Sequence, residues 1–420
     1  MYRAIFFAVY PFLLPGFILR MLRRGGYSKR MGDRFALYPE AIIKKIKNIQ
    51  SSGKSLVWIH AVSVGEVQVA GQLMREWRKI DGEVSFCFST TSSTGWKMAE
   101  KEVMERDVLI YNPLDFPSFV KSAFALIKPR AVVLTESEIW PEFIRRVKAL
   151  KIPLYLVNAR VSDRSAPRYR LARWWFSDIF SSFTKIFAQS DLDKARLVAA
   201  LAPQEKIEVT GSFKFDVARR NEEKEKEMRE WVGEGRILLG GSTWPGEDEI
   251  LISVYSRLKT VYGDLKLVIA PRHFEKADAV EANILKAGLE CVRRSRGDRP
   301  KENAVYLADT TGELMGLYGI GDVVFVGKSL TAHGSQNMIE PCLCGKSVLV
   351  GPNTENFRPV MSDLLASDAI VQVKDEVELE NRIRELFSDD GGLGERATLA
   401  VEKRRGVVSK CLAAIMERDK

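Results

Sequence analysis

At 420 residues the chain is too long for one ordinary core, so two domains of about 200 residues are expected. Hydrophobic residues make up 46% and charged residues 28%, which excludes a disordered or fibrous chain. The net charge of +9 suggests nucleic acid, but six of the nine charges lie in residues 1–34, which carry seven bases (Arg3, Arg20, Arg23, Arg24, Lys29, Arg30, Arg34) and one acid, Asp33. The remainder is nearly neutral and has no broad basic face, so no nucleic-acid partner is expected.

Residues 4–19, AIFFAVYPFLLPGFIL, carry no charge. The run is short of the roughly 20 apolar residues of a spanning helix and contains Pro11 and Pro15. No small-residue cleavage site follows it, and Arg20, Arg23 and Arg24 come next. The pattern predicts an uncleaved anchor or interfacial helix at a membrane surface, with the body on the cytoplasmic side. Five cysteines (Cys87, Cys291, Cys342, Cys344, Cys411) make no disulfide framework and read as reduced thiols. Cys342 and Cys344 lack a second ligand pair, and three histidines (His60, His273, His333) are too few for a histidine metal centre, so no metal is expected.

Past residue 50, short β-branched or apolar runs alternate with amphipathic stretches, the pattern of parallel α/β sheets. The first set is 56–60, 84–89, 108–111, 131–135, 152–158, 185–188 and 207–209. NEEKEKEMRE at 221–230 has no apolar face beyond Met228 and reads as a solvated helix or linker. The second set is 236–239, 266–270, 290–292, 305–307, 323–326, 347–350 and 369–373. Two doubly wound domains facing across a cleft are predicted. The first spans 35–220 and the second 236–400, joined by a linker at 221–235. A C-terminal helix in 401–420 is expected to pack back on the first domain.

Ligands of such sheets bind where strand ends feed helix N-termini. After the first run, WIHAVSVGE places Ser63 and Glu66 at capping-box spacing beside Gly65; Glu66 reads either as a cap or as a general base facing the cleft. After the fourth run, TESEIWPEF brings Glu136, Glu138 and Trp140 ahead of Pro141, a set suited either to helix capping or to a hydroxyl-rich ligand. In the second half, Gly240, Gly241, Ser242 and Thr243 precede Pro245 as an anion-site pattern, and Arg272 and His273 leave the next strand together. Thr310 with Glu313, and Asn337 with Glu340, repeat the cap logic, and Gly327 and Ser329 stand in another strand-end turn. Placed along one rim, these residues indicate a nucleotide site. GxGxxG, GxxxxGK[ST] and GxSxG motifs are absent.

Taken in order, YSKRMGDRF, WIHAVSVGE, ESEIWPEFI, NARVSDRS, VTGSFKFD, GSTWPGEDE, APRH, DTTGEL, VFVGKSL through IEP, and GPNTENF resemble the 3-deoxy-D-manno-octulosonic acid (Kdo) transferase family over nearly the whole chain. The resemblance implies a GT-B fold of two Rossmann-like domains, preceded by an N-terminal hydrophobic membrane-anchor helix. It implies an inverting transfer of Kdo from CMP-Kdo to a lipid A precursor of the lipid IVA type, at the inner (cytoplasmic) membrane. The donor is a substrate and no cofactor is implied. By the resemblance Glu66 is the catalytic base, and Ser63, Gly65, Glu136 and Glu138 position acceptor or Kdo. Ser242, Thr243, Arg272, Gly312, Glu313, Gly327, Ser329, Asn337 and Glu340 form the donor pocket, with Glu340 on the ribose. Four positions depart from the family pattern: Trp244 replaces its usual histidine, Lys328 and Ser335 replace glycines, and Gln336 replaces a second histidine. A UDP-sugar transferase or epimerase of the same fold is the alternative, and a catalytically silent membrane-associated binding protein is a third reading.

Overall fold

LVWIH, AVVLT, VVFV and SVLV are apolar on both faces, as strands need to be when helices cover a sheet on either side. A computed structural model describes residues 28–417 apart from Arg164 and Glu302. It contains two all-parallel, seven-stranded sheets in two compact units. The first comprises β1 (Leu56–His60), β2 (Ser85–Thr90), β3 (Val108–Tyr111), β4 (Ala131–Thr135), β5 (Leu154–Ala159), β6 (Lys185–Ala188) and β7 (Ile207–Val209), in the order β3-β2-β1-β4-β5-β6-β7. The second comprises β8 (Ile237–Thr243), β9 (Lys266–Pro271), β10 (Glu290–Arg293), β11 (Ala304–Leu307), β12 (Val323–Val326), β13 (Ser347–Val350) and β14 (Val371–Gln372), in the order β10-β11-β9-β8-β12-β13-β14.

Alternate residues of β1 feed two cores. Leu56 and Trp58 pack with Phe124 and Phe143, while Val57 and Ile59 pack with the Val64–Ile80 helix through Leu73, Met74 and Trp77. The second core is closed by Val407, Val408, Cys411, Leu412 and Ile415 of the Val407–Met416 helix. Residues 406–420 accordingly group with the first unit, and the second unit runs from 214 to 405. All five cysteines are free thiols.

Two boundaries differ from expectation. The units divide between Phe213 and Lys214, not within 221–235. That stretch forms the Glu222–Val232 helix of the second unit, burying Met228, Trp231 and Val232. It lies against the Leu314–Ile320 helix so closely that a Cβ on Gly316 or Gly319 would collide with Lys224 or Glu225. The reading of 221–230 stopped just before its two strongest apolar anchors. β8 also runs on through Gly240 and Gly241, where Leu251 and Tyr318 fill the space a side chain would need. The expected anchor at 4–19 lies outside the described residues; among those described, no helix is long and apolar enough to cross a membrane.

Leu412→Ala is expected to cost the first unit about 2–5 kcal/mol, the usual range for emptying a buried leucine site. Hydrogen exchange should then lose protection in β1 while β8 keeps it.

Candidate active site

In each sheet the strand order reverses once: the chain runs outward from β1 to β2 and β3, then returns to place β4 on the other side of β1. β8 and β12 stand in the same relation. At such a switch point the connections diverge and leave a crevice at the carboxyl ends.

Glu66 and Glu136–Trp140 follow the two strands of the first crevice. Ser63 caps the Val64–Ile80 helix: its Oγ accepts from Glu66 N (3.2 Å) and donates to Glu66 Oε1 (2.8 Å). Glu66 Oε2 accepts from Val62 N (3.0 Å), one residue earlier than in a standard capping box. It also lies 3.2 Å from Thr135 Oγ1 at the end of β4, and that hydroxyl is 3.0 Å from the His60 carbonyl. The carboxylate therefore ties both sides of the crevice together while remaining 8% exposed. A carboxylate has about four acceptor positions, so Oε1, with one donor, retains room for a hydroxyl. The space beside Gly65 is open.

Glu136 has a left-handed backbone (φ +49°) and accepts from Asn158 Nδ2 at 3.2 Å. Glu138 Oε2 accepts from Trp140 Nε1 at 2.9 Å. Neither caps the Pro141–Ala149 helix. That role falls to Asp115, whose carboxyl accepts from Glu142 N (3.1 Å) and Phe143 N (2.8 Å).

The second crevice is organised by Glu247, a fully buried residue that sequence reasoning missed. Its carboxylate accepts from Trp244 N (2.8 Å) on the β8 side and from Lys328 N (2.8 Å), Ser329 N (3.0 Å), Leu330 N (2.9 Å) and Thr331 N (3.5 Å) on the β12 side. Trp244 is three residues away, but the partners on the β12 side lie 81 to 84 residues away, and no local spacing reveals them. The two loops meet at Gly327, where a Cβ would strike the backbone of Ser242 and Thr243.

Ser242 adopts φ +54° and is hydrogen-bonded to the Tyr318 hydroxyl. Burial, and then the nearby Glu340 charge, hold that phenol well above its ordinary pKa and keep it an O–H. Burial also raises the Glu340 carboxyl, opposed by a 3.0 Å bond from Asn337 Nδ2. Arg272 is exposed, and its guanidinium has no protein partner among the described residues. Gly312 (φ +85°) borders open space. Two of the departures from the family pattern meet: the Lys328 ammonium lies 5.0 Å over the Trp244 ring, which also meets His273 edge-on at 5.0 Å.

Two expected ligand-facing side chains are otherwise engaged. Ser329 is fully buried; its hydroxyl donates to Val326 O (2.6 Å) and accepts from Gly351 N (2.8 Å), pinning the turn from within. Glu313 makes no capping box. It is the N-cap residue itself, and its carboxylate binds Thr310 Oγ1 and the Arg294 guanidinium, which also pairs with Glu227. Among the described residues, no group of three or more His, Cys, Asp or Glu side chains converges on one point.

Two parallel α/β units, each with polar groups gathered at its switch point, form a fold shared with solved structures of low sequence identity. A UDP-GlcNAc 2-epimerase from Neisseria meningitidis shares this fold at a TM-score of 0.59, with 13% identity over 87% of this chain and 100% of that one. A glycosyltransferase from Rickettsia africae does so at 0.61, with 16% identity over 87% and 98%. The family model described as 3-deoxy-D-manno-octulosonic-acid transferase (kdotransferase) matches residues 29–217. The 3-deoxy-D-manno-octulosonic acid transferase of Haemophilus influenzae is 30% identical over 419 residues, 98% of this chain and 96% of that protein. The chain belongs to this family of glycosyltransferases.

Burial raises the Asp115 carboxyl to about 6, against the two backbone N–H donors that favour its ionised form. The fold therefore holds this proton more tightly than the unfolded chain does, and its contribution is lost as pH rises from about 4 through about 6. Urea midpoints measured from pH 4 to 7 should fall more steeply for wild type than for Asp115→Asn.

Proposed function

We propose that the chain transfers Kdo from CMP-Kdo to a glucosamine hydroxyl of a lipid IVA-type precursor in lipopolysaccharide synthesis, with Glu66 as general base. The observation that carries this reading is the Glu66 carboxylate, held at the β1/β4 switch point by Ser63 and Val62 with one oxygen open to a hydroxyl, in a member of the Kdo transferase family. The acceptor oxygen attacks the anomeric carbon of Kdo and gives its proton to Glu66. The bond from that carbon to the phosphate oxygen breaks, and CMP leaves with the electron pair, inverting the configuration.

In the second unit, the Ser242–Thr243 turn, Arg272, the open Gly312 turn and the Lys328 ammonium are the groups suited to the charge that builds on the departing phosphate. Glu340, beside Asn337, is suited to ribose hydroxyls. The step invokes no metal and no cofactor. The fold is equally at home with UDP-sugars, so competition between CMP and UDP for the second unit separates the two donor classes.

A membrane-surface location on the cytoplasmic side is part of the proposal. It is supported by the apolar run at 4–19 and by the helices Ala166–Leu171 and Arg173–Ser181. Tyr169, Phe176 and Phe180 pack inward there, while Leu171 is 87% and Trp174 79% exposed. Arg168, Arg170 and Arg173 surround them, exposed and without acidic partners among the described residues. Apolar side chains ringed by cations suit an anionic lipid surface.

Glu66→Gln, still folded, should lose at least about two orders of magnitude in Kdo transfer with CMP binding unchanged, and wild-type product mass should count the sugars added. Retained turnover would remove the base assignment. The double variant Leu171→Ser/Trp174→Ser should slow transfer to acceptor embedded in phosphatidylglycerol vesicles but leave transfer to detergent-dispersed acceptor unchanged.

A further inference from the structure

His60 ends β1 fully buried, and its Nε2 has no hydrogen-bond partner. What that nitrogen carries depends on the groups on both sides of the ring. The Trp58 indole N–H can only donate, and it reaches Ser89 Oγ at 2.8 Å. Ser89 must then spend its own proton elsewhere. Its nearest partner is His60 Nδ1 at 2.9 Å, ahead of Asn112 Oδ1 at 3.3 Å and the Ile59 carbonyl at 3.4 Å, and Nδ1 also lies 3.1 Å from the Ser89 carbonyl, which can only accept. Nδ1 thus faces one group able to donate and one able only to accept, whereas Nε2 faces only the Glu138 carboxylate, which favours the proton on Nε2.

Nε2 faces Glu138 Oε2 across 3.7 Å, and the Trp140 Nε1–H reaches the same oxygen at 2.9 Å. The imidazole and indole stand edge to face, 5.8 Å between centroids, so each fixes the other's approach. The indole donates to Oε2, and the imidazole faces the same oxygen from just beyond hydrogen-bond distance. Oε1 is left without a protein partner among the described residues, on a side chain that is 17% exposed.

We propose that His60 is a positioning residue of the sugar-acceptor site: relayed from Trp58 through Ser89, its Nε2–H fixes Glu138 by one oxygen and aims the other at a substrate hydroxyl. The inference rests on the reading that the first unit binds a sugar acceptor. It makes Glu138 a hydrogen-bond acceptor of set direction, distinct from the proton-accepting Glu66. His60 is sealed from solvent and acts only through Glu138.

The test compares His60→Phe, His60→Gln, Glu138→Gln and the double variant His60→Phe/Glu138→Gln, with kcat and KM measured for each substrate. His60→Phe should raise the acceptor KM about fivefold or more, with the CMP-Kdo KM within about twofold of wild type. The glutamine carboxamide restores a donor, so His60→Gln should recover most of that loss. The double variant should be no worse than Glu138→Gln alone. If His60→Phe does not fold, Ser89→Ala breaks the relay one step earlier and should show the same KM split. Independently of turnover, imidazole ¹⁵N–¹H spectra should show the proton of His60 on Nε2 and a shift of that signal in Glu138→Gln. An unchanged acceptor KM, additive losses in the double variant, or a proton on Nδ1 would overturn the proposal. If wild type transfers no Kdo, the functional reading fails, and the spectra still decide whether His60 and Glu138 are coupled.

Discussion

A parallel sheet leaves backbone N–H groups unsatisfied where its strand order reverses, because the loops leaving two neighbouring strands diverge and cannot pair with each other. Both units meet this constraint with a glutamate from the first turn of the helix that follows the central strand. Glu66 takes Val62 N on its own side and reaches the Thr135 hydroxyl on the other; Glu247 takes Trp244 N and then a run of N–H groups after β12. Removing either leaves buried donors unmatched, so both crevices depend on a carboxylate for their shape.

The two glutamates differ in what remains. Glu247 is saturated and buried, so its charge is spent on holding one loop against another. Glu66 is less crowded and touches solvent, so the same structural device retains chemical capacity. Capping and catalysis were rival readings of Ser63 and Glu66 in the sequence. In the structure they are compatible, because the cap fixes the carboxylate's orientation without filling it.

The strands were legible because burial on both faces makes them continuous apolar runs, and five of the seven in the first unit lie where those runs lie. β8 was cut short because Gly240 and Gly241 read as a turn, whereas they serve the close approach of Leu251 and Tyr318. Capping-box spacing proved informative at Ser63–Glu66 and misleading at Thr310–Glu313, where Arg294 claims the carboxylate. Ser329 follows β12 but its hydroxyl points inward, a distinction that one residue of register makes and composition does not. His60 and Glu247 escaped because their partners, Ser89, Glu138 and the loop after β12, are distant in sequence.

The helix that completes the first unit is encoded at the far end of the chain. During synthesis, the face of β1 that packs on Trp77 and Leu412 stays uncovered while the whole second unit emerges from the ribosome. The later-made unit can therefore finish first, reversing the usual N-terminal-first order of multidomain chains. A chain lacking the Val407–Met416 helix would carry a complete second unit and a first unit with an open core.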